Sequence, residues 1–207
     1  MSSTQAIQFQ RRGLLMVISA PSGGGKSAAL KRLLEMDGEL GYSVSVTSRS
    51  PREAEVDGKD YHFVSREEFQ DQVSENRFYE WAEVHGNLYG TREDTVQAAL
   101  NRGQDVVLDI DVQGGISVKW RCPESVLVFL MPPSIDVLEK RLRGREMDSE
   151  DDIRLRMDNA RSEIQHWRLY DYVIINEDLD ETVEQIGRIL EAERTRATRL
   201  LIDHSLD

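Results

Sequence analysis

The chain contains one cysteine, Cys122, among its 207 residues. One thiol can form no disulfide within the chain and no metal site that needs several thiolates, and this scarcity is typical of a reducing cytosol. The sequence also lacks an apolar run of the roughly 20 residues that cross a membrane, and no signal-peptide core precedes Leu14. These absences predict a cytoplasmic protein that has no membrane partner.

An excess of positive charge is missing as well. The 26 basic side chains are outnumbered by 38 acidic ones, which gives a formal net charge of −12. Because binding to a nucleic acid backbone needs clustered positive charge, this balance predicts that nucleic acid is not a partner. A small phosphorylated ligand needs only a local basic pocket, which a negative exterior permits.

What the sequence does have is a glycine-rich stretch between an apolar run at 14–18 and a helical pattern at 27–36. This order is typical of a loop that binds phosphate through backbone N–H groups and a helix N-terminus. In such loops the lysine, here Lys26, reaches the β- and γ-phosphates, and the hydroxyl of Ser27 joins the Mg²⁺ shell. Ala20 replaces the first glycine of the pattern, and a small residue still permits the turn. The predicted ATP-binding residues are Ala20, Pro21, Ser22, Gly23, Gly24, Gly25, Lys26, Ser27 and Ala28.

Four apolar runs alternate with helical patterns, which predicts an α/β fold with a wound parallel sheet. The predicted strands are 14–18, 106–110, 126–131 and 172–175. The predicted helices are 27–36, one capped by Ser134, and 179–200. We expect residues 1–13 to form a flexible tail, and the core to comprise residues 14–44, 91–136 and 169–207, which end in a helix.

Two segments interrupt this core. Residues 45–90 combine a strand-like alternation from Ser43 to Thr47 with turns and clustered aromatic residues, which predicts an inserted smaller lobe. Residues 137–168 form a charged helical pair that carries five arginines between Arg141 and Arg156. Such a run indicates a solvated face or, beside a triphosphate site, an arginine-bearing lid, because phosphoryl transfer depends on cations around the transferred group.

Twelve stretches, in family order from Leu14 to about Arg194, resemble guanylate kinases. Besides the glycine-rich loop they include Ser43-Val-Ser-Val-Thr-Ser-Arg49, Glu80-Trp-Ala-Glu83, Gly86-Asn-Leu-Tyr-Gly90, Leu108-Asp-Ile-Asp-Val-Gln-Gly114, Arg141-Leu-Arg-Gly-Arg145 and Ile175-Asn176. The resemblance implies a P-loop NTPase-type wound sheet with a small mixed GMP-binding lobe and a helical lid. It also implies a kinase that transfers the γ-phosphoryl group of ATP to GMP or dGMP, with Mg²⁺ as cofactor, and it leaves a homodimer open.

The resemblance implies roles for residues in the lobe. The residues implied to bind the GMP phosphate are Arg49, Arg52, Tyr61 and Tyr89, with Glu55 holding an arginine. Glu80 is implied to accept from guanine N1–H and N2–H₂, while Ser45 and Thr91 donate to O6. Taken singly, Thr91 is also a candidate N-cap for a helix that begins at Arg92, and the two tyrosines are candidate core residues.

Further implied roles lie in the core and lid. Asp109, Asp111 and Gln113 are implied to lie on the GMP side, with Asp109 reaching Mg²⁺ through water, and Asn176 to border the adenine. The implied catalytic cations are Lys26, Arg141, Arg145 and Arg156. No general base is needed, because the second pKa of a phosphate monoester is near ~6. The four histidines, His62, His85, His166 and His204, are therefore expected to have no chemical role.

The sequence departs from the family at three positions that concern the site. Ser48 replaces the usual second Thr and keeps a hydroxyl. Ala54 stands where glycine is usual, so a positive φ there would strain the backbone, and a glycine would then be more stable. Glu146 follows Arg145 where glycine is usual, which predicts a stiffer lid.

Three other functions fit the sequence less well. Asp111-Val-Gln-Gly114 fits a GTPase signature, but the sequence has no Asn-Lys-x-Asp guanine-binding motif. A phosphopeptide-binding scaffold domain of this fold would lack a working phosphate-binding loop. A kinase for a ribose bisphosphate is disfavoured by the guanine-recognising set of Glu80, Ser45 and Thr91.

Overall fold

The computed structural model describes residues 9–84, 86–144 and 149–202. In chain order the strands are β1 (Phe9–Arg11), β2 (Leu15–Ser19), β3 (Gly41–Tyr42), β4 (Val46–Thr47), β5 (His62–Phe63), β6 (Phe78–Val84), β7 (Asn87–Arg92), β8 (Val106–Asp109), β9 (Val126–Met131), β10 (Tyr172–Ile175) and β11 (Leu200–Ile202). The α-helices are α1 (Lys26–Met36), α2 (Arg66–Ser74), α3 (Glu93–Asn101), α4 (Val112–Arg121), α5 (Ile135–Arg143), α6 (Glu150–Ile164) and α7 (Leu179–Arg194). Short 3₁₀ helices span Gln165–Leu169 and Ala197–Arg199. Within the described ranges, no helix combines the length and apolar character needed to cross a membrane.

A five-stranded parallel sheet in the order β10-β9-β2-β8-β3 forms the centre of the fold. Alternate residues of β2 face two cores: Met16 and Ile18 pack with α1 and α7, whereas Leu15 and Val17 pack with α3 and α4. Complete burial of each such side chain contributes roughly 1.5–3 kcal/mol. The predicted α/β class and wound parallel sheet are confirmed, and β3 is an additional edge strand.

The predicted smaller lobe is a mixed four-stranded sheet in the order β5-β4-β7-β6. β4 pairs in parallel with β5, whereas β7 is antiparallel to both β4 and β6. The strand expected at 43–47 shortens to β4, because the N–H of Ser43 still donates to Val107 of the central sheet, at 3.4 Å. α2 covers this sheet through Phe69, whose ring stacks on Phe78 with a centroid distance of 4.6 Å.

α5 and α6 form the predicted helical pair. Side chains cap both N-termini: the Ser134 hydroxyl accepts from the Val137 N–H at 3.1 Å, and Ser149 and Asp152 form a capping box. The buried side chains between the two helices are Leu138, Leu142, Ile153, Met157 and Ala160. Arg145 and Glu146 lie outside the described residues. The stiffer lid that Glu146 predicts therefore stays a prediction.

The two ends of the described chain differ from the prediction. Residues 9–11 of the expected flexible tail form β1, which pairs antiparallel with β11. The helix predicted at 179–200 ends at Arg194, whose Nε donates to the buried Asp105 carboxylate at 2.6 Å. Asp105 also accepts from Arg11 of β1 and from the Leu14 N–H. These charge-assisted hydrogen bonds join both ends to the central sheet.

Candidate active site

The glycine-rich loop connects the end of β2 to the start of α1, as predicted. Gly23 and Gly25 have φ angles of 82° and 88°, values that favour glycine because a Cβ is strained there. Ala20 is buried and does not have a positive φ, so alanine is accommodated at the first glycine position. The Gly24 N–H donates to Pro21 O at 2.7 Å, which closes the turn ahead of the helix N-terminus.

The side chain of Asn176 supports the loop. This residue directly follows β10 and is 4% exposed. Its side-chain nitrogen donates to Gly24 O at 2.6 Å, and its side-chain oxygen accepts from Thr182 at 3.0 Å. A Cβ on Gly25 would lie 2.5 Å from that nitrogen, so the close approach also needs glycine. The resemblance did not predict this supporting contact. That Asn176 borders an adenine remains a prediction.

Lys26, Ser27 and Asp109 form a polar cluster at the carboxyl end of β8. The Lys26 ammonium lies 2.7 Å from Asp109 Oδ1, and both side chains are largely buried. The Ser27 hydroxyl donates to Asp109 Oδ2 at 3.5 Å. The structure thus brings together the two motifs from which the sequence predicted a phosphate and Mg²⁺ site.

Glu80 is half-buried between the smaller sheet and α4, and it forms with Thr91 and Gly114 the region called the Glu80 pocket. Thr91, its partner across β6 and β7, donates from its hydroxyl to Glu80 Oε1 at 2.6 Å, and a Cβ on Gly114 would lie 3.3 Å from Oε2. Burial raises the pKa of Glu80 to about 7; the Thr91 hydrogen bond opposes the rise, and the Asp111 carboxylate adds to it. Arg92 stands at the N-cap position of α3 and makes no side-chain capping bond, so Thr91 is not the N-cap that a local interpretation predicts.

Arg49, Glu55 and the two predicted tyrosines form a second cluster in the smaller lobe. Arg49 Nη2 donates to Glu55 Oε1 at 2.7 Å, and the Arg52 N–H donates to Oε2 at 2.8 Å. These hydrogen bonds hold the pKa of Glu55 below its usual value. The Arg49 guanidinium lies 5.5 Å from the centre of the Tyr61 ring, which meets the Tyr89 ring edge-on. The expected pairing of Glu55 with an arginine is therefore present.

The remaining predicted residues of the lobe and core lie around these clusters. Ser45 is half-buried, and its carbonyl accepts from the His62 N–H at 2.9 Å. Residues exposed to solvent are Ala28, Arg52, Asp111 and Gln113. The Asp111 side chain caps α4 by accepting from the Gly114 N–H at 2.7 Å.

Ala54 does not have a positive φ angle. The strain expected at this departure is therefore absent, and replacement by glycine is not expected to stabilise the protein. Instead, a glycine would only add conformational entropy to the unfolded chain.

Of the arginines predicted to be catalytic in the helical pair, Arg141 of α5 contacts the segment that supports the loop. Arg141 Nη2 donates to Asn176 O at 2.9 Å. Its Nη1 is buried and, within the described ranges, has no hydrogen-bond partner; it lies 3.9 Å from the position of a Cβ on Gly25. Arg156 is half-buried on α6, and Arg145 lies outside the described residues. A buried guanidinium nitrogen that lacks a partner, beside a phosphate-binding loop, indicates an anionic ligand.

One contact at the loop was missed by the sequence analysis. Glu163, near the end of α6, accepts from the Ser22 N–H at 3.0 Å. Burial raises the pKa of Glu163, while this N–H opposes the rise. The two residues are 141 positions apart, and no local pattern signals their contact.

Comparisons with known proteins point to one family. A family model described as guanylate kinase matches residues 12–193. The guanylate kinase of Syntrophotalea carbinolica is 48% identical over 192 residues, which are 93% of this chain and 91% of the relative. That of Zymomonas mobilis is 51% identical over 194 residues, with coverages of 93% and 89%. The crystal structure of guanylate kinase from Anaplasma phagocytophilum matches with a TM-score of 0.74 at 36% identity, over 93% of this chain and 92% of that chain.

Proposed function

This chain belongs to the guanylate kinase family and transfers the γ-phosphoryl group of ATP to GMP, and we propose that the transfer occurs between the glycine-rich loop and the Glu80 pocket. This assignment rests on one observation. The glycine-rich loop and the Glu80 pocket both lie at the carboxyl end of β8. Asp109 ends β8 and pairs with Lys26, whereas Asp111 caps α4 at Gly114, against which Glu80 lies. Ligands of wound sheets bind at this edge of the sheet.

The smaller lobe supplies the GMP site. Arg49 offers a fixed cation, already oriented by Glu55, for the phosphate, and Tyr61 and Tyr89 add phenolic donors beside it. An ionised Glu80 accepts from the guanine N1–H and N2–H₂ groups, a pattern that adenine does not offer. Exposed Arg52 completes the phosphate site.

The glycine-rich loop and the helical pair supply the ATP site. Backbone N–H groups at the start of α1 and the Lys26 ammonium bind the phosphate chain. The unpartnered Nη1 of Arg141 lies beside the loop at Gly25, where it neutralises charge on the transferred group. Arg156 and Arg145 are proposed to act with it as the lid closes.

The residues at Asp109 fit a magnesium ion that arrives with the nucleotide. Among the described residues, no cluster of three or more His, Cys, Asp and Glu side chains is arranged to hold a metal. The Ser27 hydroxyl and the Asp109 carboxylate are hard oxygen donors of the kind that Mg²⁺ prefers, and nucleotide phosphates and water complete such a shell. When bound, Mg²⁺ neutralises charge on the β- and γ-phosphates.

The transfer itself needs no protein base. A phosphate oxygen of GMP attacks the γ-phosphorus of ATP, a new P–O bond forms, and the bond to the β-phosphate oxygen breaks, which yields GDP and ADP. The attacking oxygen is already largely deprotonated at neutral pH, since its pKa is near ~6. Catalysis therefore depends on positioning, on the cations around the phosphoryl group and on closure that excludes water.

Two further proposals concern substrate range and location. We propose dGMP as a second acceptor, because the contacts assigned above recognise the base and the phosphate. We propose a cytoplasmic location, which the single cysteine supports.

The function is tested by measuring ADP release from ATP and Mg²⁺ with single acceptors. GMP and dGMP should support turnover at least ~100-fold better than AMP, CMP, UMP or a ribose bisphosphate, because each unpaired buried polar group costs binding energy. Equal use of a ribose bisphosphate would assign the site to another sugar-phosphate kinase. Phosphopeptide binding without ADP release would instead indicate a binding module.

GMP binding should release a proton from Glu80. With a pKa of about 7, Glu80 is protonated in much of the free enzyme at neutral pH, whereas guanine binding requires the carboxylate. GMP affinity should therefore rise as the pH rises toward 7, with net release of protons on binding near neutral pH. The stability of the free protein should depend on pH in the opposite direction to GMP affinity. The free energy of unfolding is highest below the pKa that Glu80 has in the unfolded chain, and it falls as the pH rises through the folded-state pKa of about 7.

Calorimetric titrations with GMP in two buffers of different ionisation enthalpy measure the released protons. The Glu80→Gln variant is the control, because an amide at this position has no proton to release when GMP binds. Proton uptake by the wild type, or equal release by both proteins, would contradict an ionised Glu80 in the complex.

A further inference from the structure

The contact between Glu163 and Ser22 joins the helical pair directly to the glycine-rich loop. The Glu163 carboxylate, half-buried near the end of α6, accepts from the Ser22 N–H at 3.0 Å. The adjacent residue, Gly23, lies against α5, since a Cβ there would be 2.9 Å from Leu142 and 3.2 Å from Leu138. Neighbouring loop residues therefore contact both helices of the pair.

Helix geometry relates this contact to Arg156. Glu163 follows Arg156 by seven residues, which is about two turns of an α-helix, so the two side chains share one side of α6 roughly 10 Å apart. The adjacent side of α6, formed by Ile153, Met157 and Ala160, packs against α5. The side of α6 that carries Arg156 is therefore the side that Glu163 fixes to the loop.

On this basis, and resting on the function proposed above, we propose that Glu163 is a positioning residue for phosphoryl transfer. By accepting from the Ser22 N–H, it fixes the end of α6 to the loop and keeps Arg156 oriented toward the phosphates of ATP. The contact needs an acceptor at this position, which a carboxamide oxygen also supplies. Small displacements of a group that must align with the transition state reduce kcat strongly.

A double-mutant cycle tests this role, with kcat and KM measured for GMP and for ATP. Glu163→Ala should lower kcat about 10- to 100-fold and change KM for GMP less than about threefold. Glu163→Gln should remain within about threefold of the wild type, because it keeps the acceptor. In an Arg156→Ala background, Glu163→Ala should cause little further loss, since the group that it positions is already absent.

The control is Asp158→Ala, which removes an exposed acidic residue of the same helix and should leave kcat unchanged. If Glu163→Ala does not fold, as judged by a thermal melt, Glu163→Asp takes its place in the cycle. Losses that add to those of Arg156→Ala, a normal kcat for Glu163→Ala, or equal damage by Glu163→Gln would overturn the proposal. An inactive wild type would refute the proposed function instead, so the two failures are distinguishable.

Discussion

Replacing Lys26 by alanine should reduce phosphoryl transfer at least ~100-fold and leave the protein folded. The ammonium neutralises charge that develops on the phosphates in the transition state. The stability cost should be small, because Asp109, the ion-pair partner of Lys26, keeps the Ser27 hydroxyl as a neighbour. ADP release with saturating ATP and GMP measures the effect, and a thermal melt checks the fold.

Lys31→Ala is the matched control for this change. Lys31 lies on the exposed side of the same helix, α1, so its loss should leave kcat and KM unchanged. If Lys26→Ala retained activity within a few-fold of the wild type, the glycine-rich loop would not be the phosphate-binding loop of this enzyme.

The fold was predictable where the residues of a single segment show by themselves that it is a strand or a helix. β2 and β9 are continuous apolar runs, and both were predicted almost to their ends. β3 was not, because its two residues are held only by pairing with β8. The true end of α7 was also missed, since it is set by the pairing of Arg194 with Asp105, which are 89 positions apart. Long-range ion pairs leave no local period in the sequence.

The candidate site divides in the same way. The resemblance implied that Asp109 lies near the metal, and the structure pairs its carboxylate with Lys26 of the glycine-rich loop. It also implied that Glu55 holds an arginine, and Glu55 pairs with Arg49, which is only six positions away. The contacts of Asn176 with Gly24 and of Glu163 with Ser22 join residues more than a hundred positions apart and could not be predicted. Both support the backbone of the loop, so the motif identifies the groups that bind phosphate, whereas distant segments hold them in place.

The second large expected effect is discrimination between acceptor bases, which we attribute to Glu80. IMP keeps N1–H but lacks the 2-amino group, so it should be a markedly poorer acceptor than GMP. AMP should be worse still at a pH above 7, where Glu80 is ionised, because its N1 is an acceptor that faces a carboxylate. Each unpaired buried group costs on the order of 1–3 kcal/mol, and more when it is charged, so the preference for GMP over AMP should exceed ~100-fold, with IMP between.

Glu80→Gln should narrow the gap between GMP and IMP. The amide keeps the shape of the side chain, but it replaces one acceptor by a donor and removes the charge that guanine N1–H and N2–H₂ require. The kcat/KM for GMP should therefore fall about 100-fold, whereas that for IMP, which has one donor fewer to satisfy, should fall less. Glu83→Gln is the control, because Glu83 lies exposed on the same strand, β6, and pairs with Arg66 at 3.1 Å. An unchanged ratio of GMP to IMP in Glu80→Gln, or equal use of AMP and GMP by the wild type, would show that Glu80 does not read the base.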